Sequence, residues 1–304
     1  MGLTGNILIT GGSGTLGHAI VRTAEAENWD CTFTIYSRSE LRQAQMRAKH
    51  PHLRYVLGDV RDAERLAAAV AGHDTVIHAA AMKRLDDCDR MPMECYATNI
   101  QGSLNVLRAC QLGRVDRLIG VSTDKACAAT TAYGASKLAM EKAYAALTPS
   151  DHTICTLVRY GNVVASNGSV LQIWRERADQ GQPITITDPT MTRFWMAPSE
   201  AVKLIEYAAT LDHGTIAIPK MGALSIGAMA AIVAPEAEQQ IIGLRFAEKI
   251  HEDLVAAHER ATETPTHYLL GQGHGGYRYT SEIAHTLTAM EFAAMLREVD
   301  RDGH

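Results

Sequence analysis

Short runs of apolar and β-branched residues alternate with longer amphipathic stretches through the first 160 residues, the pattern of a parallel sheet covered by helices. The apolar runs predict strands at 6–10, 31–36, 53–57, 75–79, 117–122 and 153–159. The amphipathic stretches between them predict helices at 14–28, 39–49, 61–71, 92–112 and 131–147. After Tyr160 the pattern is less regular, with helices expected at 169–180, 198–211 and 225–234 and a strand at 183–187. The tail from residue 261 mixes Thr, Gly and His before an amphipathic stretch at 290–299, and its place in the fold is not legible. No internal repeat is present. The expected fold class is α/β: a Rossmann-like doubly wound parallel sheet over residues 1–165, and a smaller substrate-binding lobe over 166–304 interleaved with its last strands.

Composition narrows the function. At 304 residues, 46% hydrophobic and 21% charged, the chain can bury a full core. A formal net charge of -5 offers no footprint for nucleic acid or an anionic membrane, so an anionic ligand must be caught by a few placed residues. The six cysteines form no C-x-x-C pair and sit in apolar or helical stretches, which fits a reducing cytoplasm. No apolar window is long enough to span a membrane, and the N-terminus runs into a strand without a leader pattern. The thirteen histidines show no H-E-x-x-H spacing, and no metal site is expected.

In open sheets of this kind the ligand lies beyond the carboxyl ends of the strands, so the residues after each strand carry the chemistry. The first strand is followed by Thr10-Gly-Gly-Ser-Gly-Thr-Leu-Gly17. Its glycines Gly11, Gly14 and Gly17 let the backbone of this loop, with Ser13, Thr15 and Leu16, approach a pyrophosphate that faces a helix N-terminus. Taken alone, such a loop is also a plain strand-to-helix turn; its place at residue 10 makes it a dinucleotide site. The second strand ends in Ser37 and Arg38 with no carboxylate, a hydroxyl and a guanidinium suited to a 2′-phosphate, so NADP is expected over NAD. Asp59 and Val60 after the third strand are placed to meet the adenine, and Ala79 and Ala80 after the fourth leave room for the ribose.

Tyr133 and Lys137 stand at i and i+4 on one helix face. A free tyrosine has a pKa of about 10, so proton exchange with a hydroxyl near neutrality needs a neighbouring cation, which Lys137 supplies. Eight to ten residues earlier, Ser122-Thr-Asp-Lys-Ala126 closes the fifth strand. Asp124 and Lys125 there form a loop salt bridge on the bland reading. On the functional one they provide elimination of water, which needs one group to take a carbon-bound proton and another to protonate the departing hydroxyl.

With these residues assembled, the chain resembles the short UDP-N-acetylglucosamine 4,6-dehydratases of the C5-inverting type, within the extended short-chain dehydrogenase/reductase superfamily. The likeness runs from about residue 5 to 258 through the segments at 36–41, 58–62, 78–83, 122–126, 159–163, 191–195 and 248–251. The resemblance implies Asp124, Lys125 and Tyr133 as the catalytic trio, with Thr123 and Lys137 assisting. It implies substrate contacts at Lys83, Asn162, Asn167, Val170, Thr187 and Arg245, with Val163 against the nicotinamide. The implied reaction is an internal redox cycle. Tyr133 takes the C4 hydroxyl proton as hydride leaves C4, Lys125 removes the C5 proton, Asp124 helps the C6 hydroxyl depart, and hydride returns to C6.

Two segments depart from the family pattern. Asn167 stands where the family usually has Arg, and Arg245-Phe-Ala-Glu-Lys249 replaces its usual Arg-Pro-Gly-Glu-Lys. A 4-epimerase or 4-keto reductase would share Tyr133, Lys137 and the glycine loop but has no need of the Asp124 and Lys125 pair. A silent NADP-binding sensor would bind cofactor and turn over no sugar. Long apolar stretches in the helices at 92–112 and 131–147 imply a homo-oligomer, a dimer or larger.

Overall fold

In the computed structural model, which describes residues 2–146, 152–164, 169–245, 247–271 and 275–301, the first half of the chain alternates strand and helix. β1 (Gly5–Thr10), α1 (Thr15–Glu27), β2 (Cys31–Ser37), α2 (Glu40–Lys49), β3 (Arg54–Leu57), α3 (Ala63–Val70) and β4 (Thr75–His78) come first. A short α4 (Leu85–Arg90) then leads into α5 (Pro92–Tyr96), a π turn (Ala97–Gln101) and α6 (Gly102–Gly113). β5 (Arg117–Val121), a 3-10 turn (Asp124–Ala126), α7 (Ala132–Ala145) and β6 (Ile154–Val158) complete this half. These strands fall within a residue or two of their predicted bounds, the central ones because they are runs buried on both faces: Ile7, Leu8, Ile9 and Thr10 are all fully buried.

The second half follows as β7 (Asn162–Val163), α8 (Val170–Asp179), β8 (Ile184–Ile186), β9 (Thr192–Met196), α9 (Pro198–Ala208), β10 (Ile216–Pro219), β11 (Gly222–Ser225) and α10 (Ile226–Val233). It ends with β12 (Gln239–Ile241), β13 (Asp253–Val255), β14 (Arg260–Glu263), β15 (His267–Leu270), β16 (Gly275–Gly276), β17 (Tyr279–Thr280) and α11 (Ala289–Arg301).

The main sheet runs β3-β2-β1-β4-β5-β6-β10-β15-β14-β16 among the described residues. Its pairs are parallel from β3 to β10 and antiparallel from there to β16. The strand order reverses between β1 and β4, the switch point where a crevice opens beyond the strand ends. A second hydrophobic cluster, built from Leu171, Trp174, Ile186, Trp195, Met229 and Phe292, gathers α8, β8, β9, α10 and α11 beside that crevice.

The tail that sequence reading left unplaced contributes three edge strands to the main sheet. β15 pairs with β10 in the register Ile216 with Leu270 and Pro219 with His267. The chain therefore returns to the first sheet twice after residue 165, at β10 and again at β14 to β16. The helix expected as one run at 92–112 is interrupted by the π turn at 97–101. Asn99, fully buried in that turn, donates through Nδ2 to Met82 O at 2.9 Å and to Ser136 Oγ at 2.9 Å, and accepts from Met82 N at 2.8 Å. One side chain thus ties the segment after β4 to α7.

At the end of β4, His78 is fully buried, with Nδ1 2.8 Å from Thr10 Oγ1 and Nε2 2.9 Å from Ser103 Oγ. Burial pushes its imidazole down to about 3, with the Lys137 charge acting in the same direction. An unfolded histidine titrates at about 6.5, so the folded chain refuses a proton that the unfolded chain binds between those values. This contribution is complete above pH ~6.5 and is lost by about 1.4 kcal/mol per pH unit as pH falls toward the folded value. Denaturant midpoints measured from about pH 7 down to about pH 5 are expected to fall, and His78→Gln to flatten that slope.

Candidate active site

A cavity of about 720 Å³ opens at the carboxyl ends of β1, β2, β4 and β5 and is roofed by the second lobe. At its floor, Gly11 has φ +68°, and a Cβ there would stand 2.8 Å from the Ala80 backbone. Gly17 does not line the cavity. It packs against the Gly12 carbonyl, which brings the start of α1 up to the loop. α1 has Gly14 at its N-cap and no capping side chain, so the helix end offers backbone N–H groups toward the space lined by Ser13, Gly14, Thr15 and Leu16.

The end of β2 presents a hydroxyl and guanidinium groups to the cavity. Ser37 Oγ accepts from Ser13 Oγ at 2.8 Å and from Gln43 Nε2 at 3.1 Å, leaving its own proton to donate into the cavity. Arg38, with 56% of its side chain exposed, lies 3.6 Å from Asp59, and Arg42 in the first turn of α2 also lines the cavity. Sequence reading missed Arg42, which reaches the cavity wall with Ser37 because α2 begins at Glu40, close behind the strand.

Val60, Ala79 and Ala80 line the same space, whereas the Asp59 carboxylate turns to Arg61, with Nη2 at 2.8 Å and Nε at 3.0 Å. Burial works against that carboxylate, but the Arg61 hydrogen bonds prevail and hold it below the usual range. Lys83, also on the wall, is held below the usual lysine range by burial and by the charge of Arg42.

Beyond β5, Thr123 caps the 3-10 turn that carries Asp124 and Lys125. Thr123 Oγ1 donates to Asp124 Oδ1 at 2.8 Å, and Lys125 Nζ donates to the same oxygen at 3.0 Å. Asp124 is fully buried and does not line the cavity, and its Oδ2 has no hydrogen-bond partner. Thr123 and Lys125 do line it. A Cβ at Gly134 would collide with the Lys125 carbonyl, so α7 begins in direct contact with this turn. The N-cap Thr131 accepts from Gly134 N at 3.1 Å and fixes that start.

Tyr133 and Lys137 on α7 both line the cavity. Burial and then the Asp124 charge push the Tyr133 phenol up, while Thr123 works in the opposite direction. Burial also pushes Lys137 down to about 8 against the pull of Glu141. Each of these groups is thereby displaced toward its neutral form.

Of the expected substrate contacts, Lys83, Asn162, Val170, Thr187 and Arg245 come together on the cavity wall with Val163. Asn167 lies outside the described residues. Arg245 Nη1 donates to Asp86 Oδ1 at 3.1 Å, and Thr187 Oγ1 donates to Met191 Sδ at 3.1 Å. Arg193 and Glu248 also line the cavity, and Glu252 stands 3.6 Å from Lys125 Nζ. Their signal in the sequence was confined to segments at 191–195 and 248–251, which adjoin or contain them without giving them roles.

The strand order with its reversal beside β1, the glycine turn after that strand and the Tyr133 and Lys137 pair on the helix after β5 define an extended short-chain dehydrogenase/reductase. The family model described as polysaccharide biosynthesis protein matches residues 7–271, and the chain belongs to that family. It is 41% identical over 259 residues to a UDP-N-acetylglucosamine 4,6-dehydratase (inverting) of Campylobacter jejuni, covering 83% of this chain and 78% of the relative. It is 38% identical over 268 residues to a UDP-glucose 4-epimerase of Rickettsia bellii, covering 84% of this chain and 79% of that protein. The X-ray structure of Pen from Bacillus thuringiensis superposes with a TM-score of 0.89 at 30% identity, covering 96% of this chain and 98% of Pen.

Proposed function

We propose that this chain is a UDP-N-acetylglucosamine 4,6-dehydratase of the C5-inverting type, an NADP-dependent lyase that gives a UDP-linked 2-acetamido-2,6-dideoxy-4-hexulose. The observation that carries the reading is Lys125 on the wall of the Tyr133 cavity, hydrogen-bonded to a buried carboxylate at 3.0 Å. A 4-epimerase needs the Tyr133 and Lys137 pair but no second acid and base. Relatives of both names share this fold, so the Asp124 and Lys125 pair supports dehydration.

The cofactor residues fit a dinucleotide. The Gly11 turn admits no Cβ, the α1 N-terminus has no capping side chain, and the Ser37 proton is free for an acceptor. Gly11, Ser13, Gly14, Thr15 and Leu16 would hold the pyrophosphate, with Gly17 setting the approach of α1. Ser37, Arg38 and Arg42 would hold a 2′-phosphate, Val60 the adenine end, and Ala79, Ala80 and Val163 the riboses and nicotinamide. NADP would supply a hydride acceptor at C4 and a donor at C6. Removing both guanidiniums (Arg38→Ala with Arg42→Ala) is expected to weaken NADP binding by about tenfold to a hundredfold while leaving NAD nearly unchanged. Fluorescence titration with the two cofactors reads this directly.

In the reaction, Tyr133 takes the C4 hydroxyl proton, with Lys137 stabilising the phenolate. The ketone at C4 then acidifies the C5 proton. A proton passing along the Lys125 to Asp124 hydrogen bond leaves a neutral amine and a carboxylic acid. Lys125 removes the C5 proton. Once protonated, Asp124 would reverse the hydrogen bond it accepts from Thr123. The Thr123 hydroxyl on the cavity wall would pass its own proton to the departing C6 hydroxyl and take that of Asp124. Return of hydride to C6 and of a proton to the opposite face of C5 would complete the cycle. Lys83, Asn162, Asn167, Val170, Thr187 and Arg245 would orient the UDP-sugar. The reading divides the chain into residues 1–165 for the cofactor and 166–304 for the substrate lobe, set in the cytoplasm. Among the described residues no helix is long and apolar enough to cross a membrane. Leu104 and Leu112, exposed on α6, support a homo-oligomer.

The test is incubation with UDP-N-acetylglucosamine in deuterated water, followed by proton NMR and mass spectrometry. Dehydration gives loss of water, a new C6 methyl and deuterium at C5, with ring couplings that report inversion. Inversion at C4 without a change in mass would replace this reading with the epimerase.

A further inference from the structure

Lys125 lines two adjoining cavities, the 720 Å³ site and a smaller one of about 90 Å³ that also touches Glu252, Lys249 and Thr131; Arg193, Arg245 and Glu248 line both as well. Glu252 is buried, 5% exposed, immediately before β13. Its backbone is clamped on both sides to Ser281: Glu252 N donates to Ser281 Oγ at 2.9 Å, and Glu252 O accepts from Ser281 N at 2.8 Å.

Three cations surround its carboxylate: Lys125 Nζ at 3.6 Å, Arg193 Nε at 3.9 Å and Lys249 Nζ at 3.9 Å. Arg193 and Lys249 have other acceptors. Arg193 donates to Ile250 O at 3.1 Å and Lys249 O at 3.0 Å and lies 3.6 Å from Glu248, while Lys249 donates to Cys127 O at 2.8 Å and lies 4.0 Å from Asp253. Lys125 has Asp124 on the side of its own turn and Glu252 on the other. The Glu252 separation is too long for a hydrogen bond, so its influence on the amine is one of charge.

We propose that Glu252 is a positioning residue for dehydration: acting through Lys125, it holds the amine between two carboxylates at the cavity wall and sets the pH at which the Lys125 and Asp124 pair loses the proton it shares. The proposal rests on the dehydratase reading. Burial alone would favour the neutral amine, but Asp124 and Glu252 outweigh it, with Arg193 opposing them, and Lys125 is held above the usual lysine range. Removing the Glu252 charge therefore lets the shared proton go at lower pH, because the ammonium loses a partner and faces Arg193 and Lys249 unscreened.

The experiment compares the full-length enzyme with Glu252→Gln and Lys249→Gln, reading kcat and KM across pH and, without substrate, the titration of Lys125 by ¹⁵N NMR with its signal assigned through Lys125→Met. In Glu252→Gln the alkaline limb of kcat and the NMR midpoint are both expected roughly one pH unit below wild type, with KM within about twofold. Lys249→Gln, which leaves Glu252 less shared, should move both upward and serves as the test should Glu252→Gln not fold. A kcat lowered equally at every pH, with the limb and midpoint unmoved, makes Glu252 a structural counterion and overturns the proposal. If the wild type fails to dehydrate the sugar, the dehydratase reading falls separately. The NMR arm still decides the coupling: an unmoved midpoint rejects it and a lowered one retains it.

Discussion

Tyr133→Phe is expected to lower kcat by about 10²–10⁴-fold while cofactor binding stays within about twofold of wild type. Only the phenolic hydroxyl is removed. The first turn of α7 is held by the Thr131 cap and by the contact of Gly134 with the Lys125 carbonyl, and both survive the change. The structure also shows why the hydroxyl cannot work alone. Burial favours the protonated phenol, so accepting and returning a proton near neutrality depends on Lys137 and on the positive charge of the oxidised nicotinamide. Because the lesion falls on the first step, no change in the near-ultraviolet absorbance of the nicotinamide should follow mixing with UDP-N-acetylglucosamine. A loss smaller than about tenfold would remove Tyr133 from the acid–base role.

Lys125→Met is expected to lower kcat by a similar 10²–10⁴-fold, about the contribution of one acid–base group, and to leave a different signature. Oxidation at C4 should still occur, so the nicotinamide absorbance should change on mixing and then fail to return. Deuterium should not enter C5, and no C6 methyl should form. A nonpolar side chain also removes the donor to Asp124 Oδ1, leaving Thr123 as the donor to that oxygen. The variant should therefore be checked by thermal melting before its kinetics are read. Turnover that persists with full deuterium incorporation would assign the C5 proton to another group. Together the two variants separate the redox half of the cycle from the elimination.

The central strands of the first half were legible because a parallel sheet covers them on both faces and makes their middles apolar, whereas the edge strand β3, with Arg54 and Leu57 exposed, was legible only from its short apolar run. The glycine loop, the Ser37 and Arg38 end of β2 and the Tyr133 and Lys137 spacing were legible for a related reason. Each is a local backbone or helix-face requirement within a short segment. β14, β15 and β16 were not. They are two to four residues long, carry polar side chains such as Glu263 and His267, and owe their existence to a chain of pairings in which β15 joins β10, about fifty residues earlier, and β14 and β16 follow. The π turn was hidden for another reason. Its Asn99 reads in sequence as one more helical position, and only contacts with Met82 and Ser136 reveal its use.

The sequence by itself determined the sheet order's local ingredients, the glycine loop after β1, the Ser37 and Arg38 end of β2 and the Asp124 and Lys125 pair close before Tyr133. Their information is written in spacing along one strand, turn or helix. Only the tertiary structure decided that Asp124 is sealed behind Thr123 and Lys125, that Asp59 turns away to Arg61, and that Arg42 joins Ser37. It also placed Glu252, over a hundred residues from Lys125 in the chain, at 3.6 Å from its amine. Charge and burial act through space and not along the chain. The ionisation of a side chain is therefore set by neighbours that its own segment does not contain.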